Sequence, residues 1–202
     1  LVNGSVNNNQ SRLDNSLLKL LNLNFKNLNV KDVEFKSKNN FTLEIDNKLK
    51  INNFTINSNL EIAQLKYERP EIVQSYISNT NDFILLEDHK LNLNYKKNNL
   101  IVSGEGKIQL DEEKSKIKYS INKNNENLDI KTELLISNIN LKKQDFLKTN
   151  FPQMGETINF SNQKIKIDYK NKDLFISGSG KFKVHKDYDE VDYFFEKKEN
   201  SI

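Results

Sequence analysis

The sequence predicts a mainly β chain, with long antiparallel strands in a curved, repeat-built sheet and short helices between units of about 74 residues. Three observations predict it. The first is an internal repeat. Lys90–Leu110, KLNLNYKKNNLIVSGEGKIQL, is written again as Lys164–Val184, KIKIDYKNKDLFISGSGKFKV, at an offset of 74 without a gap. Tyr95 falls on Tyr169, Leu100 on Leu174, Gly104 on Gly178 and Gly106 on Gly180. Apolar character holds at Leu91/Ile165, Leu93/Ile167, Val102/Ile176 and Ile108/Phe182. Self-similarity of this length means an architecture assembled by adding units. The second observation is a period of two, apolar against Asn, Lys, Glu or Thr, along most of the chain; this is the mark of half-buried antiparallel strands. The third is a hydrophobic fraction of only 36% with a mean hydropathy of -0.74. That is little apolar material for a closed globule, but it suits a sheet with one greasy face and one wet face.

In chain order, Leu1–Asn9 reads as a short strand with a turn at Asn3-Gly4, and Asp14–Leu21 as a short helix capped by Asn15 or Ser16. From Asn24 the period becomes two. Phe25, Leu28 and Val30 lead to Val33 and Phe35, then to Phe41, Leu43 and Ile45, Leu49 and Ile51, Phe54 and Ile56, and Leu60 and Ile62. Turns or bulges are expected at Asp46–Lys48 and Asn52–Asn53. Leu65–Ser78 leaves the strand pattern and predicts a short helix from Pro70, with an apolar cluster at Phe83–Leu86 beyond it. Next comes the hairpin, turning at Lys96–Asn99, then strands carrying Ile117, Tyr119 and Ile121, and Leu128, Ile130, Leu134 and Ile136. A second helix is expected over Leu141–Phe151, closed by Pro152. The approximate units are 24–78, 79–152 and 153–202, the last incomplete.

Composition excludes several functions. Lys and Arg total 31 against 28 acidic residues, and Arg occurs only at Arg12 and Arg69, so no basic cluster suits nucleic acid. With no cysteine, disulfides and thiolate metal sites are excluded. No apolar run approaches the length of a membrane-spanning helix. Asn is abundant but dispersed, which reads as the codon bias of an AT-rich genome. Met154 is the only methionine and the chain starts at Leu1, so it reads as a piece of a longer protein whose anchor or export signal lies outside it. His89 and His185 fall on Gln163 and Asp111 in the repeat frame; they read as non-equivalent surface residues, outside any metal-ligand spacing. Asp187, Asp189, Glu190 and Asp192 read as a solvated loop, since the glycine turn of a calcium loop is missing. Ser103-Gly104-Glu105-Gly106 and Ser177-Gly178-Ser179-Gly180 lie inside strands and not at a strand-to-helix turn, so they do not cradle phosphate. Two glycines on one face of a strand allow strong curvature or the close approach of a neighbour or ligand. No catalytic constellation, metal site or cofactor site emerges.

What remains is a surface. The same-parity set is Leu91, Leu93, Tyr95, Leu100, Val102, Ile108, Leu110, Ile117, Tyr119, Ile121, Leu128 and Ile130. The next unit continues it with Ile165, Ile167, Tyr169, Leu174, Ile176 and Phe182. This face is either covered by a second sheet as an ordinary core or left open as a trough for lipid tails.

The motif YKxxxLxxSGxGKhxh (h apolar), the long alternating strands and the short helix ending at Asn150-Phe151-Pro152 resemble the AsmA-like family, in particular its large YhdP- and TamB-type envelope proteins. The resemblance covers Asn24 onward. It implies a repeating β-groove, a parent protein anchored in the inner membrane and spanning the periplasm, and non-vesicular phospholipid transport between inner and outer membranes. It implies no enzyme activity. The expected ligands are phospholipid acyl chains on the apolar set above. Edge strands would contact neighbouring repeats. The competing expectation is a structural or adhesive β-repeat protein with a closed core and no lipid.

Overall fold

The computed structural model describes residues 1–13, 30–77, 81–124, 127–150, 152, 155–183 and 187–199. Within them the alternating stretches become ten strands of one antiparallel sheet, ordered as in the chain. They are β1 (Val2–Leu13), β2 (Val30–Ile45), β3 (Ile51–Glu68), β4 (Phe83–Lys96), β5 (Asn99–Gln109), β6 (Lys114–Lys123), β7 (Leu128–Lys142), β8 (Thr157–Lys170), β9 (Asp173–Lys183) and β10 (Tyr188–Lys197). Helices α1 (Glu71–Tyr76) and α2 (Asp145–Asn150) follow β3 and β7. Among the described residues β1 and β10 are free edges, so the sheet is open and not a barrel. The repeat is carried into the backbone: β4, β5, β6 and α1, moved on by 74 residues, coincide end for end with β8, β9, β10 and α2.

Local chemistry explains the joints. Lys97 and Asn98 have φ of 47° and 64°, and Asn171 and Lys172 have 51° and 69°. Two successive left-handed residues make the tight turn whose twist matches that of the flanking strands. Asp88 and Asn162, again 74 apart, have φ of 53° and 52°. Each marks a bulge where the register to the next strand shifts, between Glu87 and Lys90 and between Ser161 and Lys164. One inserted residue swaps the inward parity, so Ile84 and Leu86 precede the bulge on even positions while His89, Leu91 and Leu93 follow it on odd ones.

Several expectations are corrected. Asn3-Gly4 is not a turn but lies within β1, where Gly4 lets the Phe41 ring lie against the backbone. Asn52–Asn53 lie within β3 and, as expected, at a bulge: Glu44 pairs with Asn53 and Ile45 with Ile51, which leaves Asn52 as the extra residue. Strand pairing continues past Leu65, because Leu65 and Tyr67 find cross-strand partners in Leu86 and Ile84. Likewise β7 runs to Lys142, and α2 begins only at Asp145. Phe83–Leu86 opens β4. Of the acidic run, Asp189, Glu190 and Asp192 lie in strand β10 rather than in a loop, with Asp187 just before it, and all four are exposed to solvent as expected. The expected helix at Asp14–Leu21, Phe25, Leu28 and His185 lie outside the described residues.

The core is small and sits at one end of the strands. Ile77, Ile136 and Ile139 are buried together, with Val73, Leu110, Leu134, Leu141, Phe160 and Ile165 packed around them. Ile77 also bridges to Leu141 of β7. Thus α1, which leaves the sheet after β3, reaches β7 across the end where β5 and β6, of 11 and 10 residues, stop short of their 14- and 15-residue flanks β4 and β7. Polar bonds hold this strap. The Lys142 ammonium donates to the Gln74 carbonyl at 2.9 Å, and the buried Arg69 donates through Nη2 to the Leu110 carbonyl at 2.8 Å. The buried Asp111 carboxylate accepts from the Asn140 amide at 2.9 Å. Elsewhere, among the described residues, the strands pack chiefly on their neighbours in the sheet and no second layer covers them. The accessible surface is accordingly 14525 Å², against about 9,800 Å² for a compact monomer of this mass.

Candidate functional site

The residues singled out in the sequence fall on successive cross-strand rows of one face. Directly paired residues of antiparallel strands point the same way. One row runs Leu93, Val102, Ile121, Ile130, Tyr169, Leu174 across six strands, β4 to β9. The row beside it runs Leu60, Leu91, Gly104, Tyr119, Thr132, Ile167, Ile176, Phe195. Tyr95 and Leu100 pair on a third row, which Lys123 continues to Leu128. Gly106, Ile117, Leu134, Ile165, Gly178 and Tyr193 form a fourth. The apolar members are half-buried, save the exposed Phe195, while the intervening Lys90, Asn92, Glu105, Lys118 and Lys166 face solvent. The result is an apolar surface of several adjacent rows, with no described element lying over its middle.

Four residues of the set differ in setting. Ile108 is only 8% exposed, and Leu110 and Ile165 pack on the Ile77–Ile136 cluster, so all three belong to the packed end. Phe182 stacks on Phe160 with ring centroids 6.2 Å apart.

The face also holds polar groups that sequence reasoning passed over. Ser37, Ser58, His89, Ser115 and Gln163 are all buried. The expectation that His89 is a surface residue is wrong: it is 2% exposed. The bulge at Asp88 turns it inward, and Gly106 leaves room for its ring; a Cβ added at Gly106 would stand 2.4 Å from His89 Cδ2. The two glycines thus serve close approach. Tyr119 lies over Gly104 in the same way, and Tyr193 over Gly178. Burial pushes both phenols above their ordinary pKa. The signal for His89 was present in the sequence. The switch from even Ile84 and Leu86 to odd Leu91 and Leu93 requires an extra residue between them, as does that from Ile158 and Phe160 to Ile165 and Ile167.

The opposite face is charged. A cleft of about 440 Å³ there is lined by Lys90, Lys107, Lys116 and Lys118 together with Asp88, Glu105 and Glu133. Its charges largely cancel. Asp88 is ion-paired with Lys107 at 2.7 Å, and the hydrogen bond from that ammonium holds the carboxyl below its usual range. In the next unit Glu190 and Asp192 stand where this one has Lys116 and Lys118, so the cleft is not repeated. The apolar rows are.

No group of three His, Cys, Asp or Glu placed to hold a metal ion occurs among the described residues, and no described helix is long and apolar enough to cross a membrane. No family model, curated protein or solved structure matches the chain.

Proposed function

We propose that this chain is a segment of an AsmA-like envelope protein that carries phospholipid between inner and outer membranes, with acyl chains lying in its open apolar trough. The observation that carries this reading is the row Leu93–Val102–Ile121–Ile130–Tyr169–Leu174, which stays half-exposed on an open sheet. A second sheet, which the structural or adhesive alternative needs, is absent among the described residues. Burying a methylene releases about 0.8 kcal/mol, so a dozen of them supply roughly 10 kcal/mol before the costs of binding. Headgroups then need no dedicated pocket and stay in solvent along the seam. The face works by partition, so no catalytic group is required. The parent protein would be held at the inner membrane, with this region in the periplasm. Neighbouring repeats would continue the trough at its free edges.

Native mass spectrometry of the purified chain, with lipid extraction of the same sample, tests the proposal. Phospholipid should co-purify, and Val102→Asp should release it while the circular dichroism of the sheet is retained. A chain that is lipid-free and also takes up no phospholipid from added vesicles overturns it.

A further inference from the structure

The units 79–152 and 153–202 carry the same polar fixture within their apolar face. In the first, His89 Nε2 lies 2.9 Å from the Lys107 carbonyl oxygen. A carbonyl only accepts, so Nε2 bears the proton, and in the neutral ring Nδ1 is left to accept from the Tyr119 hydroxyl at 3.5 Å. In the second, Gln163 Nε2 donates to the carbonyls of Ser161 and Lys181 at 3.0 and 2.9 Å, which leaves Oε1 to accept from the Tyr193 hydroxyl at 3.2 Å. His89 and Gln163 are 74 residues apart, as are Lys107 and Lys181, and Tyr119 and Tyr193. Both follow a left-handed bulge residue, and both are buried, at 2% and 3% exposure. Each occupies the space left by a glycine, Gly106 or Gly180. A ring and an amide of different shape thus present one donor and one acceptor at the same two points.

The consequence falls on the tyrosine. Tethered at its hydroxyl, each ring reclines across the glycine of the intervening strand instead of standing up from the sheet. Cζ of Tyr119 and of Tyr193 lies 2.7 and 2.3 Å from where a Cβ on Gly104 or Gly178 would be. A standing tyrosine would obstruct the trough; a reclining one paves it. The two fixtures are four strands apart, about 19 Å along the trough, and therefore recur at the period of the unit.

We infer that His89 and Gln163 are interchangeable positioning residues. Each latches a tyrosine flat so that an acyl chain can pass over it. The latch stands on geometry alone, while its purpose rests on the lipid-trough reading.

The test uses the full chain labelled with fluorotyrosine, with the Tyr119 fluorine resonance assigned by its loss in Tyr119→Phe. His89→Gln, which installs the second unit's residue, should leave the Tyr119 shift and its alkaline titration close to wild type. His89→Leu keeps the bulk but loses the acceptor. It should move the resonance and bring the phenol titration back toward its ordinary range, while Tyr193 is unmoved. A brominated fatty acid should broaden the Tyr119 resonance in wild type and His89→Gln, with affinity at least threefold weaker in His89→Leu. An unmoved Tyr119 in His89→Leu, or a released one in His89→Gln, overturns the latch whatever the lipid result. If His89→Leu unfolds, Tyr119→Phe provides the same reading, because it removes the tether and keeps the ring; unchanged fatty-acid affinity there overturns the positioning role. A wild-type chain that ignores the fatty acid but passes the titration arm refutes the trough reading and leaves the latch standing.

Discussion

Replacing Gly106 by alanine asks whether the glycines of the repeated motif are there for space. A Cβ at Gly106 would lie 2.4 Å from Cδ2 and 2.5 Å from Cγ of His89, well inside the roughly 3.5–4.0 Å at which carbons attract. The ring has little freedom to retreat, since it is 2% exposed and its Nε2 is bonded to the Lys107 carbonyl. Overpacking of this kind costs about 1–3 kcal/mol. Alanine in a strand interior regains about 0.5–1 kcal/mol over glycine, so the net expectation is a loss of about 1–2 kcal/mol. Chains of this size have urea m-values toward the upper end of about 1–3 kcal/mol per molar, so the unfolding midpoint should fall by roughly half a molar. Gly155 is the control: its nearest neighbour would be the Thr157 carbonyl at 3.8 Å, and Gly155→Ala should be neutral or stabilising by up to about 1 kcal/mol. The sign decides the matter. A Gly106→Ala midpoint equal to or above wild type refutes the claim that close approach requires this glycine.

Other outcomes follow from the same geometry. Ile108→Asp should destabilise by more than about 3 kcal/mol because it buries a charge in the packed end, while Val102→Asp on the half-exposed row should cost about 1 kcal/mol; paired urea titrations compare them. Burial raises the Tyr119 and Tyr193 phenols, so their contribution is whole below the unfolded phenol pKa of about 10 and is lost as pH rises through the higher folded values. The urea midpoint should therefore fall above about pH 10, and less steeply in Tyr119→Phe. The lowered Asp88 pKa gives the opposite sense, with a contribution present above the ordinary aspartate range and lost as pH falls through the folded value. Since Asp88 and Lys107 are both largely exposed, Lys107→Ala should leave the neutral-pH midpoint unchanged within error. Lys97→Asn places a residue tolerant of left-handed backbone at φ 47° and should raise stability by about 0.5 kcal/mol in the same titration.

By itself the sequence determined what depends on near neighbours along the chain. A period of two assigns residues to faces, because successive strand side chains point to opposite sides. That made the apolar rows from Leu91 to Phe182 legible, and the offset of 74 made the units legible. The first hairpin turn was legible at Lys96–Asn99, the repeat carries it to Asn171–Lys172, and the glycines were legible as points of curvature or close approach. Strand ends were less so. Leu65–Glu68 has weak alternation of its own and is held as strand by pairing with Phe83–Leu86.

Only the tertiary structure decided what covers a face. Whether Val102 lies in a closed core or an open trough depends on whether a distant segment packs over it, and periodicity is the same in both cases. Here the covering element is α1, brought by Ile77 to Leu141 at the far side of three intervening strands. It buries one end of the strands and leaves the middle rows open. His89 shows the same division. Its residue type suggested a wet surface, but a single left-handed residue at Asp88 reversed its face, and the space above Gly106 took it in. That outcome belongs to the contact between two strands, which neither strand specifies alone.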